Sequence, residues 1–118
     1  MPAADKINYV EFPSRDLAAT KAFFETVFGW AFQDFGPDYS AFTNEGLDGG
    51  FFKSELISSS GQGAPLVVLF SNDLEASLLK VAAGGGTISK EIFSFPGGRR
   101  FHFTEPGGNE LAVWSDGE

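Results

Sequence analysis

The sequence has no cysteine and a single histidine, His102. Without cysteine there is no disulfide, no thiolate zinc site and no cysteine nucleophile. Long apolar runs are missing too. No stretch approaches the roughly twenty residues that a membrane-spanning helix needs. Met1 to Lys6 has no basic segment leading into an apolar one, so no secretory signal is read there and a cytoplasmic protein is expected. Positive charge is scarce: 8 Lys and Arg stand against 16 Asp and Glu, a formal net charge of −8. Phosphate backbones are repelled by such a chain, so nucleic acid is not an expected partner. The same charge keeps a small protein soluble.

What is present fits an ordinary folded chain. Hydrophobic residues make up 42% and charged residues 20%, outside the disordered range. The 118 residues suit one domain spanning 1–118, large enough to bury roughly two-thirds of its unfolded surface. Fourteen phenylalanines are a surplus. They are expected to fill a core or line an apolar pocket.

The chain repeats itself. Tyr9–Gly29 overlies Leu66–Gly86, 57 residues further on, with identities at Val10/Val67, Ser14/Ser71, Asp16/Asp73, Leu17/Leu74, Ala19/Ala76 and Gly29/Gly86. Each copy reads strand, polar turn, helix, glycine. The apolar spacing predicts helices near 16–28 and 73–84, started by the short acids Asp16 and Asp73. Asn72 and Glu75 also have capping-box spacing. Gly29 and Gly84-Gly85-Gly86 stop the helices. After each helix come three short β runs: 30–35, 39–43 and 47–53, then 87–95, 99–104 and 110–114. Gly- and Pro-rich turns separate them. Ser58–Gly63 is polar and reads as a flexible linker. The predicted fold class is α+β: two βαβββ repeats, about 6–54 and 65–115, joined by a linker at about 55–64. They are expected to form a curved mixed sheet around a cleft, with the helices on the outer face.

Tyr9-Val10-Glu11-Phe12-Pro13, Asp16-Leu17, Phe23-Phe24, Val27-Phe28-Gly29-Trp30, Asp73-Leu74, Gly85-Gly86 and Glu105-Pro106-Gly107-Gly108-Asn109-Glu110 together carry a resemblance. The pattern resembles the vicinal oxygen chelate superfamily, which includes glyoxalase I, extradiol dioxygenases and bleomycin-resistance proteins. The resemblance implies a homodimer and a small-molecule ligand. It also implies a divalent metal held by His, Gln or Glu, one from each of four strands. Here the first ligand position falls on Tyr9, its repeat mate on Leu66 and the last on Ala112; the fourth lies near Phe52 to Ser54. Leucine and alanine cannot ligate a metal, and tyrosine replaces imidazole poorly. Shifting by one residue reaches only Glu11 or Glu55. The expectation is therefore no metal and no cofactor.

Residues two apart on a strand share a face. Glu11 is expected beside Tyr9, and Glu110 and Trp114 beside Ala112. On the seventh strand Phe101 and Phe103 suit a helix-packed face, which sends Arg100 and His102 into the cleft. His102 is the acid/base candidate, against a structural hydrogen bond. Glu11 is a base or ligand anchor, against a salt bridge to Arg99 or Arg100. Arg99-Arg100 form an anion clamp or a solvated strand start. Tyr9 and Trp114 offer stacking surfaces or belong to the core, and Glu110 lies at the rim or in the cleft. Tyr9, Glu11, Arg100, His102 and Trp114 are expected in one concave space. The leading reading is a small-molecule binder with a metal-free cleft, suited by the acidic charge to a cationic aromatic compound. The other reading is a metal-independent lyase or isomerase, or an enzyme with displaced metal ligands, that uses His102 and Glu11 for proton transfer.

Overall fold

A computed structural model describes residues 2–117. Each repeat starts with the same local chemistry. Ser14 Oγ accepts a hydrogen bond from the Asp16 amide, and Asp16 in turn accepts one from the Ala19 amide, 3.0 Å away. Ser71, Asp73 and Ala76 do the same in the second repeat, the cap bond measuring 3.1 Å. These caps satisfy first-turn amides that have no partner within the helix. The second cap is thus Asp73, not Asn72. Gly29, in the left-handed conformation at φ 74°, ends the first helix.

The elements follow in the predicted order. The first repeat is β1 (Tyr9–Ser14), α1 (Leu17–Phe28), β2 (Phe32–Asp34), β3 (Tyr39–Phe42) and β4 (Asp48–Lys53). The second is β5 (Val67–Phe70), α2 (Leu74–Ala83), β6 (Thr87–Phe95), β7 (Gly98–Thr104) and β8 (Glu110–Asp116). The segment read as a flexible linker contains a single 3-10 turn at Ser60–Gln62. The α+β class and the two βαβββ repeats are as the sequence predicts. The strands form two four-stranded sheets, ordered β1-β4-β3-β2 and β5-β8-β7-β6. In each, the first strand runs parallel to the last and the other pairs are antiparallel. β1 and β5 are therefore edge strands, each with one unpaired side.

Alternation sorts every strand into two faces. Phe12 and Phe51 of the first sheet, and Phe101, Phe103, Leu111 and Val113 of the second, point toward the helices and are buried. Helix α1 touches both sets. Phe24 packs on Phe51 at 5.4 Å between ring centroids, and Phe23 on Phe103 at 5.7 Å. The two repeats thus share one apolar core, and each buried phenylalanine contributes about 1.5–3 kcal/mol. Both helices sit on these core-facing sides. The opposite side of each sheet has no helix over it.

A polar latch also joins the repeats. Glu105, in the turn before β8, is 1% exposed. It accepts hydrogen bonds from Thr20 Oγ1 of α1 (2.8 Å), the Gly107 amide (2.6 Å) and Asn109 Nδ2 (2.7 Å). Thr20 is bonded to Ser14 at 2.7 Å. Asn109 Nδ2 also donates to the Pro13 carbonyl, and the Arg15 amide donates to the Gly107 carbonyl. Gly107 is required there, because a Cβ would collide with the Ser14 and Thr20 hydroxyls. Burial is the strongest influence on Glu105 and raises its pKa, although the bonds from Gly107, Thr20 and Asn109 oppose it.

Candidate functional site

The uncovered faces hold the residues singled out from the sequence. On the first sheet Tyr9 and Glu11 stand side by side on β1, as alternation requires. Tyr39 of β3 reaches them across the sheet. Its hydroxyl donates to Glu11 Oε2 at 2.9 Å and lies 2.7 Å from the Tyr9 hydroxyl. Gly50 makes this reach possible. It is the register partner of both Glu11 and Ala41, and a Cβ there would strike the Tyr39 ring. Burial chiefly, then the bonds to Tyr9 and Glu11, push the Tyr39 pKa up. Glu11 is exposed and takes its hydrogen bond from a phenol, not from the Arg99 or Arg100 guanidinium expected of a structural acid.

The second sheet carries the rest. Phe101 and Phe103 do face the helices, so Arg100 and His102 lie on the uncovered face. His102 Nδ1 is 3.2 Å from Glu110 Oε2. The other carboxylate oxygen of Glu110 accepts from the Ser60 amide (2.8 Å) and the Ser60 hydroxyl (2.7 Å). Burial raises the Glu110 pKa, but the Ser60 and His102 bonds outweigh it and hold the carboxyl below its usual range. In the tautomer that donates from Nδ1 to Glu110, the imidazole presents a lone pair at Nε2. That Nε2 is buried and has no hydrogen-bond partner among the described residues.

Arg100 lies over the Phe93 and Phe95 rings, 5.4 and 5.5 Å from their centroids. Trp114, directly across from Arg100 on β8, packs against Phe70 at 5.2 Å and Phe95 at 6.2 Å. Arg99 points the other way and grips Glu75 of α2 at 2.6 and 3.1 Å. The two arginines therefore do not form a joint clamp.

The expected site thus divides in two. Tyr9 and Glu11 belong to one sheet; Arg100, His102, Glu110 and Trp114 belong to the other. Among the described residues no hydrogen bond or ion pair joins the two groups. Three contributors were not singled out from sequence: Tyr39, Ser60 and Phe93. Tyr39 was findable, since a tyrosine beside a glycine-bearing strand can lie flat across it. Ser60 was hidden in a stretch whose composition reads as linker. A separate groove of about 550 Å³ runs between β1 and β5. It is lined by Val10, Phe12, Trp30, Phe42 and Val67 to Phe70, and by none of the predicted site residues.

The residues at the superfamily's ligand positions do not fit a divalent metal. Tyr9 is engaged with Tyr39, and Ala112 is fully buried with no donor to offer. Phe52, on the Tyr9 face by register, has none either. Among the described residues no three His, Cys, Asp or Glu side chains gather as a metal cluster. No helix is long and apolar enough to cross a membrane.

Comparison with known proteins agrees with the architecture. The sequence profile of the Glyoxalase/Bleomycin resistance protein/Dioxygenase superfamily matches residues 6–113. No curated protein sequence matches the chain. Among solved structures, a family enzyme from Burkholderia phytofirmans superposes with a TM-score of 0.74 at 18% identity, covering 92% of this chain and 97% of the other. A lactoylglutathione lyase from Agrobacterium tumefaciens gives 0.70 at 16%, covering 96% and 95%. An antibiotic binding protein from Streptomyces gives 0.69 at 18%, covering 99% and 100%. At these identities the likeness concerns the fold alone. With the profile match running through both βαβββ repeats, the chain belongs to the Glyoxalase/Bleomycin resistance protein/Dioxygenase superfamily.

Proposed function

We propose that this chain binds a small organic molecule on the uncovered face of its second sheet, without a metal, and does so as a homodimer. The carrying observation is that face itself: Trp114, Phe70, Phe95 and Phe93 form an aromatic surface beside Arg100 and His102. Aromatic walls with a few placed polar groups are the usual makeup of a ligand site. An antibiotic binding protein from Streptomyces is among the structures that share this fold.

The dimer supplies the rest of the cleft. β1 and β5 each have an unpaired edge, and exposed apolar side chains gather there: Ile7, just before β1, is 83% exposed and Phe70 of β5 is 51% exposed. Unpaired edges with apolar side chains favour strand addition. Pairing β1 of one copy with β5 of another extends the two sheets into one of eight strands. It brings the Tyr9–Tyr39–Glu11 group of one copy to the His102–Arg100–Trp114 face of its partner. The residues expected in one concave space then share it across two chains.

Light scattering at micromolar concentration is expected to give twice the chain mass, and a library of small aromatic metabolites and drugs to raise the melting temperature. A monomer with no ligand-induced stabilisation would sink the reading. One observation favours an alternative. Glu110 holds His102 through Nδ1 and leaves Nε2 without a partner among the described residues, the placement a proton-transferring group in a metal-independent lyase or isomerase needs, with Glu11 entering from the partner copy. Turnover of methylglyoxal hemithioacetal that disappears in His102→Ala would decide for it.

A further inference from the structure

We infer that the molecule held on the second sheet is a planar aromatic acid that also carries a hydrogen-bond donor. This rests on the binding reading above and goes past it by naming the ligand's chemistry. The starting point is a pair of polar atoms with nothing to bind. Arg100 Nε and His102 Nε2 are both buried, and neither has a hydrogen-bond partner among the described residues. Such atoms are uncommon in folded proteins, because their lost hydration is offset by nothing. Arg100 and His102 are two residues apart on β7, so they share a face about 6.7 Å apart along the strand.

Their needs are opposite. The Arg100 guanidinium is always charged and can only donate. It makes no ion pair among the described residues and lies over the Phe93 and Phe95 rings. The group that suits it is a carboxylate, which accepts from the guanidinium fork. His102 meets Glu110 through Nδ1, and in the tautomer that donates there its Nε2 presents a lone pair that a hydroxyl or N–H satisfies. His102 is 7% exposed, so its requirement is met inside the face and not by bulk water. Trp114 faces Arg100 across the strand pair, and Phe70 and Phe95 flank it. They give a flat apolar wall on which a ring stacks.

The other charges on this face agree. Lys90, opposite His102, brings its ammonium within 4.8 Å of the Phe93 centroid. Two cations therefore bracket one ring. Glu110 is occupied by Ser60 and His102, and Asp116 sits at the exposed end of β8 opposite Gly98. The chain's net charge of −8 would favour a cationic ligand, but salt screens it beyond about 8 Å, and the near groups decide. The cationic aromatic compound expected from overall charge is replaced by an anionic one.

Calorimetric titration with four naphthalenes tests this: 6-hydroxy-2-naphthoate, 2-naphthoate, 6-hydroxy-2-naphthamide and 2-naphthol. The hydroxy acid is expected to bind most tightly, and the amide at least about tenfold more weakly, as loss of one charge-assisted hydrogen bond predicts. In Arg100→Gln the acid and the amide bind alike. Removing the 6-hydroxyl weakens binding to the wild type and not to His102→Phe. The ligand series on the wild type stands even where a variant does not fold. If the amide binds the wild type as tightly as the acid, the anion inference is overturned while aromatic binding survives. If none of the four binds at millimolar concentration, both fall.

Discussion

The two repeats have matching joints between first strand and helix, and only one of the joints is filled. Ser14 and Thr20 meet at 2.7 Å in the first; their repeat mates Ser71 and Ser77 meet at 2.7 Å in the second. Over the first joint lies the 105–109 turn, which inserts the Glu105 carboxylate and seals the contact. The corresponding turn of the first repeat, at 43–47, instead borders the groove of about 550 Å³ along β5. By strand register Thr43 and Leu47 stand where Glu105 and Asn109 stand in the other repeat, since β1 pairs Val10 with Gly49 as β5 pairs Val67 with Leu111. Neither carries a carboxylate to set against the Ser77 hydroxyl. The local fold of a joint thus follows from its own residues, while its burial depends on what the opposite repeat sends over.

The comparison can be broken by mutation. Glu105→Ala removes the acceptor shared by the Thr20 hydroxyl, the Gly107 amide and one Nδ2 hydrogen of Asn109; Thr20 keeps its bond to Ser14, and Asn109 its bond to the Pro13 carbonyl. At about 1–3 kcal/mol for each buried bond lost, a loss of at least about 3 kcal/mol is expected by urea unfolding. A loss under about 1 kcal/mol would show that the filled joint is no stronger than the empty one. Thr20→Val removes one donor to the buried Glu105 carboxyl and is expected to cost about 1–3 kcal/mol. Ser77→Ala removes only the hydroxyl pair of the second joint, and about 1 kcal/mol is expected in the same assay. If Ser77→Ala cost as much as Thr20→Val, the asymmetry between the joints would be refuted.

The smallest effect is on pH dependence. Burial raises the Glu105 pKa above the 4.5 of an unperturbed glutamate. Between 4.5 and its folded value the native state holds a proton that the unfolded state has released. The contribution of Glu105 to stability therefore falls as pH rises through that window. Glu105→Gln has no such proton. The stability difference between wild type and this variant is expected to be most favourable to the wild type at the acid end and to shrink toward neutrality. Glu110, whose pKa is lowered, acts with the opposite sign, since its contribution is lost as pH falls; it is common to both proteins and cancels. A difference that grows with pH would reverse the assignment.

Much of the fold was legible because its signals are local. Asp16 and Asp73 cap the helices, Gly29 stops the first, and the 57-residue offset pairs the repeats. Face assignment on β7 followed from the contrast of Phe101 and Phe103 with Arg100 and His102, and the burial of both phenylalanines bears it out. What alternation cannot show is which sheet faces which. Tyr9 and Trp114 each lie on the uncovered side of their own sheet, yet the sheets turn those sides away from a shared core. That arrangement is set by α1, whose Phe23 and Phe24 pack in two directions. Nor does periodicity reveal Ser60, because its role is to donate through a turn to a side chain fifty residues away.

Each sheet draws all four of its strands from one repeat, and this bears on how the chain assembles during synthesis. The long pairing in the first sheet, Tyr9 with Asp48, closes within the first repeat. Every strand of that sheet is available once Lys53 has left the ribosome, before β5 emerges from it. Pairings of short sequence separation form sooner than distant ones, and amino-terminal units fold first on the ribosome. The first sheet and α1 then wait, with Phe23 and the Ser14–Thr20 joint uncovered, for Phe103 and Glu105. The last turn to be synthesised is the one that locks the halves together.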